Sequence, residues 1–277
     1  MSLRALSKTA TGALPARPRA RVVAGATQTT QTADRPLAKP AVFNASRPRH
    51  DDARVVWGPA EMIRLPGVNA VVIPSPANKD AKLAPSVIEK EFKDVPDVRL
   101  DVPIRRDDID AGARAFIDGL PAGAGSPELR VALADDVARL AKAFFVACPD
   151  LTAVKATLEL VSFVPCPRWH VDKVRARLIC TYAGAGTRLV ENAAVKRSPL
   201  LRRRLRGDAG FVVNEAHAVS TGSGEALLLK GEAWPQYEGL AVVHASPEDP
   251  GKWGRRLIVK LDAADDVCLD ACCAHNH

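Results

Sequence analysis

The second half of the chain alternates apolar and polar residues in short segments, a pattern typical of β-strands, whose side chains point to opposite faces in turn. From residue 157 onward these segments are separated by turns rich in glycine and proline. The candidate strands are Leu158–Val164, Val174–Tyr182, Thr187–Val190, Phe211–Val213 with a continuation to Val219 left open, Glu225–Lys230, Leu240–His244 and Arg256–Leu261. Regularly spaced short strands with few helices between them predict an antiparallel sandwich or jelly roll.

The first half of the chain carries the helical patterns. Ser126–Cys148 has a serine that can cap, a proline in the first turn and one apolar stripe, so it predicts a long helix with a buried face. Asp107–Leu120 shows a weaker helical pattern that two glycines interrupt. Asn69–Pro74 predicts a short buried strand, and Glu191–Arg206 predicts a loop containing a short helix.

Composition divides the chain into three parts. Residues 1–50 lack hydrophobic periodicity and predict a disordered basic tail. Residues 51–262 predict one globular domain, mainly β with α, in which an N-terminal helical layer (51–150) packs on a double-stranded β-helix, or jelly-roll, core (151–262). Residues 263–277 form a tail rich in cysteine and histidine.

The formal charge of +7 is concentrated at the N-terminus. Residues 1–50 contain nine Lys or Arg and one acid, whereas the remaining 227 residues hold 30 basic and 31 acidic groups. The first 33 residues contain no acid, which is the composition of a transit peptide and predicts a plastid or mitochondrial location. The alternative is a basic tail on a cytoplasmic protein. No apolar run is long enough to span a bilayer, so we expect no membrane role.

The six cysteines fall into two groups. Cys148, Cys166 and Cys180 are scattered through apolar sequence, which predicts buried thiols in a reducing compartment. The others lie within ten residues of the C-terminus together with two histidines, and soft ligands at this density suit zinc or Cu(I). Their spacing matches no standard zinc finger, and an accidental Cys/His-rich terminus is the alternative. This second candidate metal site consists of Cys268, Cys272, Cys273, His275 and His277.

The main candidate for chemistry is the pair His170 and Asp172, separated by one residue. In an extended strand both side chains lie on one face, so an imidazole and a carboxylate can bind one metal ion. A jelly roll can bring His244, which 71 residues separate from Asp172, to the same place. Two histidines and one carboxylate leave open positions on the metal, as in non-haem Fe(II) oxygenases. Taken singly, each histidine is more often a hydrogen-bonded structural residue.

Arginines just beyond His244 are candidates for binding a cosubstrate carboxylate. Arg256 and Arg255 begin the last predicted strand and are the candidate catalytic residues, and a planar guanidinium suits a carboxylate. We favour Arg256, because Arg255 shares its face with residues that predict continuous core. Arg256 and Tyr182 are the candidate cofactor-binding residues, whereas Trp169 lines the pocket or simply packs.

A basic run in the middle of the domain comprises Lys196-Arg197 and Arg202–Arg206. Because no aromatic residues are interleaved and the domain is nearly neutral, a solvated loop or lid is favoured over a nucleic-acid interface. The run could also attract an acidic substrate towards the site.

Several blocks between Cys166 and Asp262 resemble the signature of the domain of unknown function 1826 family. They are His170-Val-Asp172, Arg177-Leu-Ile-Cys-Thr-Tyr182, Gly184-Ala-Gly-Thr187, Leu229-Lys-Gly-Glu232, His244-Ala-Ser-Pro247 and Arg256-Leu-Ile-Val-Lys-Leu-Asp262. The resemblance implies a fold similar to the Fe(II)/2-oxoglutarate oxygenase-like (cupin-type) jelly rolls, a metal site, and a loose association with zinc homeostasis. It does not imply a particular reaction.

Together these patterns predict a metal-dependent jelly-roll protein with metal ligands His170, Asp172 and His244. We favour a non-haem Fe(II)- and 2-oxoglutarate-type oxygenase acting on a small-molecule or acidic substrate. The alternative is a zinc-binding protein of zinc homeostasis without oxygenase activity, and a nucleic-acid-binding module is the least supported class. The expected cofactors are therefore Fe(II) or Zn(II), with 2-oxoglutarate in the first case. The sequence leaves the substrate and the oligomeric state open.

Overall fold

The computed structural model describes residues 53–74, 80–197, 211–236 and 239–263. The predictions for the N-terminal tail, for the run Arg202–Arg206 and for the Cys/His-rich C-terminus therefore lie outside the described residues. In the part of the chain that is described, no helix is long and apolar enough to cross a membrane.

The described residues are mainly β, with three α-helices. In chain order the strands are Arg54–Trp57 (β1), Val68–Ile73 (β2), Val98–Arg105 (β3), Ala153–Val161 (β4), Ala176–Ala183 (β5), Arg188–Val190 (β6), Val195–Arg197 (β7), Phe211–Val213 (β8), Val219–Ser220 (β9), Ala226–Lys230 (β10), Val243–Ala245 (β11) and Arg256–Ala263 (β12). The helices are Pro85–Glu91 (α1), Ile109–Asp118 (α2) and Pro127–Ala147 (α3).

Seven strands form a large sheet in the order β1-β2-β10-β5-β12-β4-β3, and β11, β6 and β9 form a small sheet in that order. Neighbouring strands of the large sheet are antiparallel except for β1 and β2. From β9 onward the chain alternates between the sheets, because β9 and β11 belong to the small sheet and β10 and β12 to the large one. Residues far apart in sequence therefore face each other between the two sheets.

The long helix α3 begins where the sequence predicts. Its N-cap residue Ser126 accepts a hydrogen bond from the backbone N–H of Leu129 through Oγ at 3.2 Å, and Pro127 occupies the first turn. The apolar stripe of α3 is buried, and Leu133 and Phe144 are fully inaccessible. This helix therefore contributes a large part of the hydrophobic core.

Both faces of the large sheet are packed. One face shares a hydrophobic cluster with the helices, in which Leu133 and Phe144 join Leu158 of β4 and Leu178 of β5. The other face carries a smaller cluster that includes side chains of the small sheet, among them Leu189. Burial on both faces explains why the central strands are almost continuously apolar.

The structure confirms the predicted strands from Leu158 onward, with shifts of a few residues at their ends, and both predicted helices. The continuation of the strand Phe211–Val213 to Val219, which the sequence left open, does not occur, because a short 3₁₀ turn, Glu215–His217, separates β8 from β9. The predicted loop after Glu191 contains a 3₁₀ turn, Asn192–Ala194, followed by the strand β7.

The prediction of a helical layer over residues 51–150 needs correction. This segment does contain α1, α2 and α3, but it also supplies β1, β2 and β3 to the large sheet. The strand β3 contains Pro103, which the large sheet tolerates because β3 is its edge strand.

Candidate metal centre

Backbone pairing brings the two histidines together. The N–H of His170 donates to the carbonyl of His244 at 2.9 Å, and the N–H of His244 donates to the carbonyl of His170 at 3.0 Å. This isolated antiparallel bridge places the segment around His170 beside β11, so that it extends the small sheet beyond that strand. Because paired residues in a sheet point to the same face, both imidazoles lie on one side of the backbone.

His170, Asp172 and His244 converge on one point. Nε2 of His244 lies 3.3 Å from Oδ2 of Asp172, and Nε2 of His170 lies 3.9 Å from Oδ1 of the same carboxylate. The imidazole centroids are 4.4 Å apart, and the three ligand atoms all lie within 4.8 Å of one another. Neighbouring ligand atoms on a shared ion are expected to lie roughly 3–3.5 Å apart, since metal–ligand distances are near 2.1 Å. The three side chains can therefore hold one metal ion.

Hydrogen bonds orient both imidazoles for binding through Nε2. Nδ1 of His170 lies 2.9 Å from the carbonyl oxygen of Arg168, and Nδ1 of His244 lies 3.3 Å from the carbonyl oxygen of Val242. A carbonyl can only accept a hydrogen bond, so each Nδ1 carries the proton and each Nε2 keeps its lone pair. This arrangement is typical of metal-binding histidines.

His170 is neutral at neutral pH. Burial, followed by the neighbouring His244, lowers the pKa of His170 to about 4. A neutral imidazole is the form that binds a metal ion, so protons compete for this ligand only in acid.

The two oxygens of Asp172 have different surroundings. Oδ1 accepts a hydrogen bond from Nη1 of Arg177 at 2.8 Å, whereas the buried Oδ2 has no hydrogen-bond partner. Burial would raise the pKa of Asp172, but His244 and Arg177 hold it well below its usual range, so the carboxylate stays ionised. Arg177 is itself fixed through Nε and Nη2 by Asp262. An ionised, buried oxygen without a partner fits a cation at this point.

Among the described residues, three side chains offer ligand atoms to this cluster. Cys166, which lines the same cavity, is not one of them. Closed structural zinc sites almost always have four protein ligands, whereas three ligands leave positions for other molecules.

A cavity of about 370 Å³ adjoins the three ligands and extends to Arg256. The guanidinium of Arg256 is buried, with 1% of the residue exposed. Its Nε donates to the carbonyl of Ala185 at 2.7 Å, and its Nη atoms make longer contacts with the hydroxyls of Ser246 (3.4 Å) and Thr181 (3.3 Å). Burial lowers the pKa of Arg256 to about 10, so it remains charged at neutral pH. No acidic side chain among the described residues forms an ion pair with Arg256.

The other candidate residues for cosubstrate binding lie elsewhere. Arg255 points away from the cavity and donates to the carbonyl of Phe92 (3.0 Å) and to Asp97 (2.9 Å). Tyr182 lies on the helix-facing side of β5, where its hydroxyl donates to Asp136 at 2.7 Å. Its assignment to cofactor binding is therefore wrong, because side chains alternate faces along β5 and the cavity is on the opposite face.

The structure also describes scattered cysteines, Trp169 and part of the basic run. Cys148 and Cys180 are buried as predicted, whereas Cys166 is exposed. Trp169 does not line the cavity and instead donates to Glu215 at 3.1 Å. Of the basic run, Lys196 and Arg197 are described; Lys196 is exposed, and Arg197 donates to Asn192 at 3.0 Å.

The sequence reasoning missed the pair formed by Arg177 and Asp262. These residues face each other on β5 and β12, and they join the metal cluster to the large sheet. Charged residues within otherwise apolar strands were the available signal, but their pairing depends on β5 and β12 being neighbours.

Comparison of the sequence with protein families gives one match. The family model described as "Protein of unknown function (DUF1826)" matches residues 60–262. None of the curated proteins compared with the chain matches it.

Solved structures give distant matches. The chain is similar to the dioxygenase for auxin oxidation from rice, with 12% identity, a TM-score of 0.44, and coverage of 70% of this chain and 73% of that chain. It is similar to the 2-oxoglutarate complex of dioxygenase for auxin oxidation 1 from Arabidopsis thaliana, with 11% identity, a TM-score of 0.38, and coverage of 70% and 82%. A third is HygX from Streptomyces hygroscopicus with iron bound, at 13% identity, a TM-score of 0.37, and coverage of 70% and 81%.

Proposed function

Because the chain belongs to the DUF1826 family, whose name gives no activity, we propose from its own residues that it is a non-haem Fe(II)- and 2-oxoglutarate-dependent oxygenase. The observation that carries this proposal is the convergence of His170, Asp172 and His244 beside a cavity that also contains a buried arginine. Two imidazoles and one carboxylate form the ligand set of non-haem Fe(II) oxygenases.

We propose a double-stranded β-helix as the scaffold. Four strand positions of the large sheet, in the order β10-β5-β12-β4, face four of the small sheet, which are the His170 segment, β11, β6 and β9. From β4 to β6 and again from β9 to β12 the chain changes sheet at each step, which is how a jelly roll is wound. The ligands come from two adjacent positions of the small sheet and face the large one.

Arg256 is proposed to bind the distal carboxylate of 2-oxoglutarate. Its guanidinium is buried and charged, and it begins β12, the strand whose far end carries Asp262 beside Arg177. The hydroxyls of Thr181 and Ser246 near its Nη atoms can donate further hydrogen bonds to a carboxylate. A dicarboxylate bound to the metal through one end would place its other carboxylate in the cavity that Arg256 lines.

The remaining residues of the site position and shield the reactants. Arg177 holds Oδ1 of Asp172 and thereby directs Oδ2 towards the histidines. Ile179 and Ile258 line the cavity with apolar surface, which limits the access of water. When bound, Fe(II) and 2-oxoglutarate would supply the activation of dioxygen that oxidises the substrate.

Metal content provides the first test. Wild-type protein loaded with Fe(II) or Mn(II) under anaerobic conditions should retain one equivalent after desalting, and His170→Ala should lose it, because one of three ligands is removed. His217→Ala is the control, since His217 is exposed and lies outside the cluster. Equal metal content in wild type and His170→Ala, by elemental analysis, would contradict the proposal.

Cosubstrate binding provides the second test. Anaerobic addition of 2-oxoglutarate to the Fe(II) protein should give a weak visible charge-transfer band, and Arg256→Ala should abolish it at the same ligand concentration. Arg255→Ala is a matched control, because it removes the neighbouring guanidinium from outside the cavity. A band that both variants retain would remove Arg256 from the proposal.

A zinc-binding protein is the second candidate function. Two histidines and a carboxylate also bind zinc, and Asp172 Oδ2 fits that ion equally well. This candidate predicts that zinc remains bound through purification and that added 2-oxoglutarate is not consumed in the presence of Fe(II) and oxygen. The same elemental analysis, combined with a 2-oxoglutarate consumption assay, separates the two functions.

A further inference from the structure

The face of the large sheet that carries Arg256 is divided into an apolar half and a charged half. The apolar half lies on β1, β2 and β10 and packs in a cluster with Leu189 of the small sheet. The charged half lies on β12, β4 and β3, although Ile258 and Val161 of these strands join the apolar cluster. We call it the charged face, and its polar side chains include Arg99, Asp101, Lys155, Thr157, Glu159, Arg256, Lys260 and Asp262.

Positive groups outnumber negative groups on the charged face. Arg99 forms ion pairs with Asp101 at 2.8 Å and with Glu159 at 2.6 Å, and Lys260 lies 2.8 Å from Glu159. Lys155 has the longest contact, 3.4 Å to Asp101, and its side chain is 27% exposed. Arg99, Lys155 and Lys260 therefore share Asp101 and Glu159, because the third carboxylate, Asp262, is engaged by Arg177. Lys155 is the cation held least tightly.

The carboxylates of Asp101 and Glu159 are both already engaged. Burial would raise the pKa of Asp101, but hydrogen bonds from Arg99 and Thr157 lower it to about 2. Glu159 contacts both Arg99 and Lys260. Neither carboxylate is left to balance a further positive charge.

A second lysine, Lys173, lines the cavity beside the three candidate metal ligands. Lys173 follows the metal-site residue Asp172, is exposed, and forms no ion pair with another described residue. Lys155 also lines this cavity and faces Asp262 across the strand pair. Asp262 is six residues along β12 from Arg256, or roughly 20 Å at the usual rise of a strand. Lys155 therefore lies at the opposite end of β12 from the proposed cosubstrate arginine.

The cavity lining combines charged side chains with aliphatic ones. Among its described lining residues there is no phenylalanine, tyrosine or tryptophan, and basic groups outnumber acidic ones by six to three. Aromatic ligands are usually bound against aromatic side chains, so this lining disfavours them. The basic residues are Arg99, Lys155, Lys173, Arg177, Arg256 and Lys260, and the acidic ones are Glu159, Asp172 and Asp262.

From this distribution we infer, resting on the proposed function, that the substrate is a small anion whose carboxylate or phosphate group is bound by Lys155 and Lys173. The metal ion and these two lysines would then hold the substrate, while Arg256 at the other end of the cavity is reserved for the cosubstrate. Ammonium groups on flexible side chains bind anions as point charges, which suits either acid.

The test uses the full chain loaded with Mn(II), which broadens the NMR signals of nearby nuclei. The protein is in excess over Mn(II), and 2-oxoglutarate is present at a saturating concentration. Two probes are used: inorganic phosphate, which is followed by ³¹P NMR, and ¹³C-labelled acetate, which is followed by ¹³C NMR. Wild type should broaden the line of at least one probe, and the probe with the greater broadening identifies the preferred acid. Lys155→Gln/Lys173→Gln should weaken probe binding roughly tenfold, because charge-assisted contacts are lost.

Lys90→Gln/Lys252→Gln is the charge-matched control, since both lysines are exposed and lie outside the cavity. This control should broaden the probe lines as wild type does. If wild type binds Mn(II) and 2-oxoglutarate but the two double variants give equal line widths, the anion site is refuted and the proposed function stands. If wild type binds no Mn(II), the proposed function fails and this inference fails with it.

Discussion

At the scale of single residues, the carboxylate of Asp172 shows how the candidate metal site is prepared. One oxygen is held by Arg177 at 2.8 Å and the other is buried without a hydrogen-bond partner. Leaving a buried charged oxygen unpaired costs free energy, and a bound cation would recover it. Arg177 is therefore a positioning residue, because it fixes the carboxylate without being a ligand.

Substitution of Arg177 should weaken metal binding more than it weakens the fold. We expect Arg177→Lys, which keeps the charge but cannot bridge Asp172 and Asp262 in the same way, to lower metal affinity about 10- to 100-fold. Competition with a chelator measures the affinity, and circular dichroism checks folding. Arg175→Lys is the control, because Arg175 pairs with Asp150 outside the cluster. Unchanged affinity in Arg177→Lys would show that Asp172 needs no orientation.

The buried Lys230 makes stability depend on pH. It is 1% exposed, and burial lowers its pKa to about 7, whereas an unfolded lysine titrates near 10.4. Between these values the unfolded chain binds a proton that the native state has released, so the free energy of unfolding should rise with pH, by at most about 1.4 kcal/mol per pH unit. Urea unfolding at pH 7 and pH 9 should show this rise in wild type. Lys230→Met should reduce the rise in the free energy of unfolding between these pH values. The control Lys252→Met, which replaces an exposed lysine, should retain the rise.

At the scale of elements, the turn after β10 holds the segment that carries Asp172. The N–H of Gly231 donates to the carbonyl of Arg175 at 2.9 Å, and the N–H of Glu232 donates to the carbonyl of Asp172 at 2.8 Å. The segment 171–175 forms no strand of its own, so these contacts from a neighbouring element fix its path. The turn thereby connects the large sheet to the metal ligand.

Gly231 should tolerate no side chain. A Cβ at this position would lie 1.9 Å from the carbonyl oxygen of Val174, so Gly231→Ala must displace the segment beside Asp172. We expect a loss of roughly 1–3 kcal/mol in the free energy of unfolding, together with weaker metal binding. In the control Gly222→Ala the nearest atom is 3.3 Å away, at the end of the Glu225 side chain. Wild-type stability and metal affinity in Gly231→Ala would contradict this account.

At the scale of the whole molecule, the site depends on two sheets with different roles. The large sheet is packed on its helix-facing side by the main hydrophobic cluster, which makes it a stable platform. The small sheet supplies His244 and, through the backbone bridge, His170. The cavity adjoins both the candidate ligands and the charged face of the large sheet, and Asp172 and His244 are buried whereas His170 is half-buried.

The C-terminal Cys/His cluster should bind metal independently of this fold. Its residues lie outside the described part of the chain, whereas the strand β12 ends at Ala263. Truncation after Asp266 removes three thiols and two imidazoles, so we expect a lower zinc stoichiometry and an unchanged melting temperature. Elemental analysis and thermal denaturation measure the two quantities. An unchanged zinc content would indicate that the cluster is an accident of composition.

Local patterns in the sequence determined much of this protein. The alternation of apolar and polar residues predicted β4, β5, β6, β8, β10, β11 and β12, and the cap and stripe of α3 predicted that helix. The spacing of His170 and Asp172 suggested that these two residues bind one metal ion. These features follow from the periods of strands and helices, which depend on residues close together in the chain.

Tertiary structure alone decided which side chains meet. His244 reaches His170 through a pairing across 74 residues of chain, and Arg177 reaches Asp262 because β5 and β12 are neighbours. Tyr182 was misassigned because the alternation along a strand shows which residues share a face, but it does not show which face the helices cover. Sheet order and the choice of buried face depend on long-range pairing and on the packing of all the layers together, so no local pattern contains them.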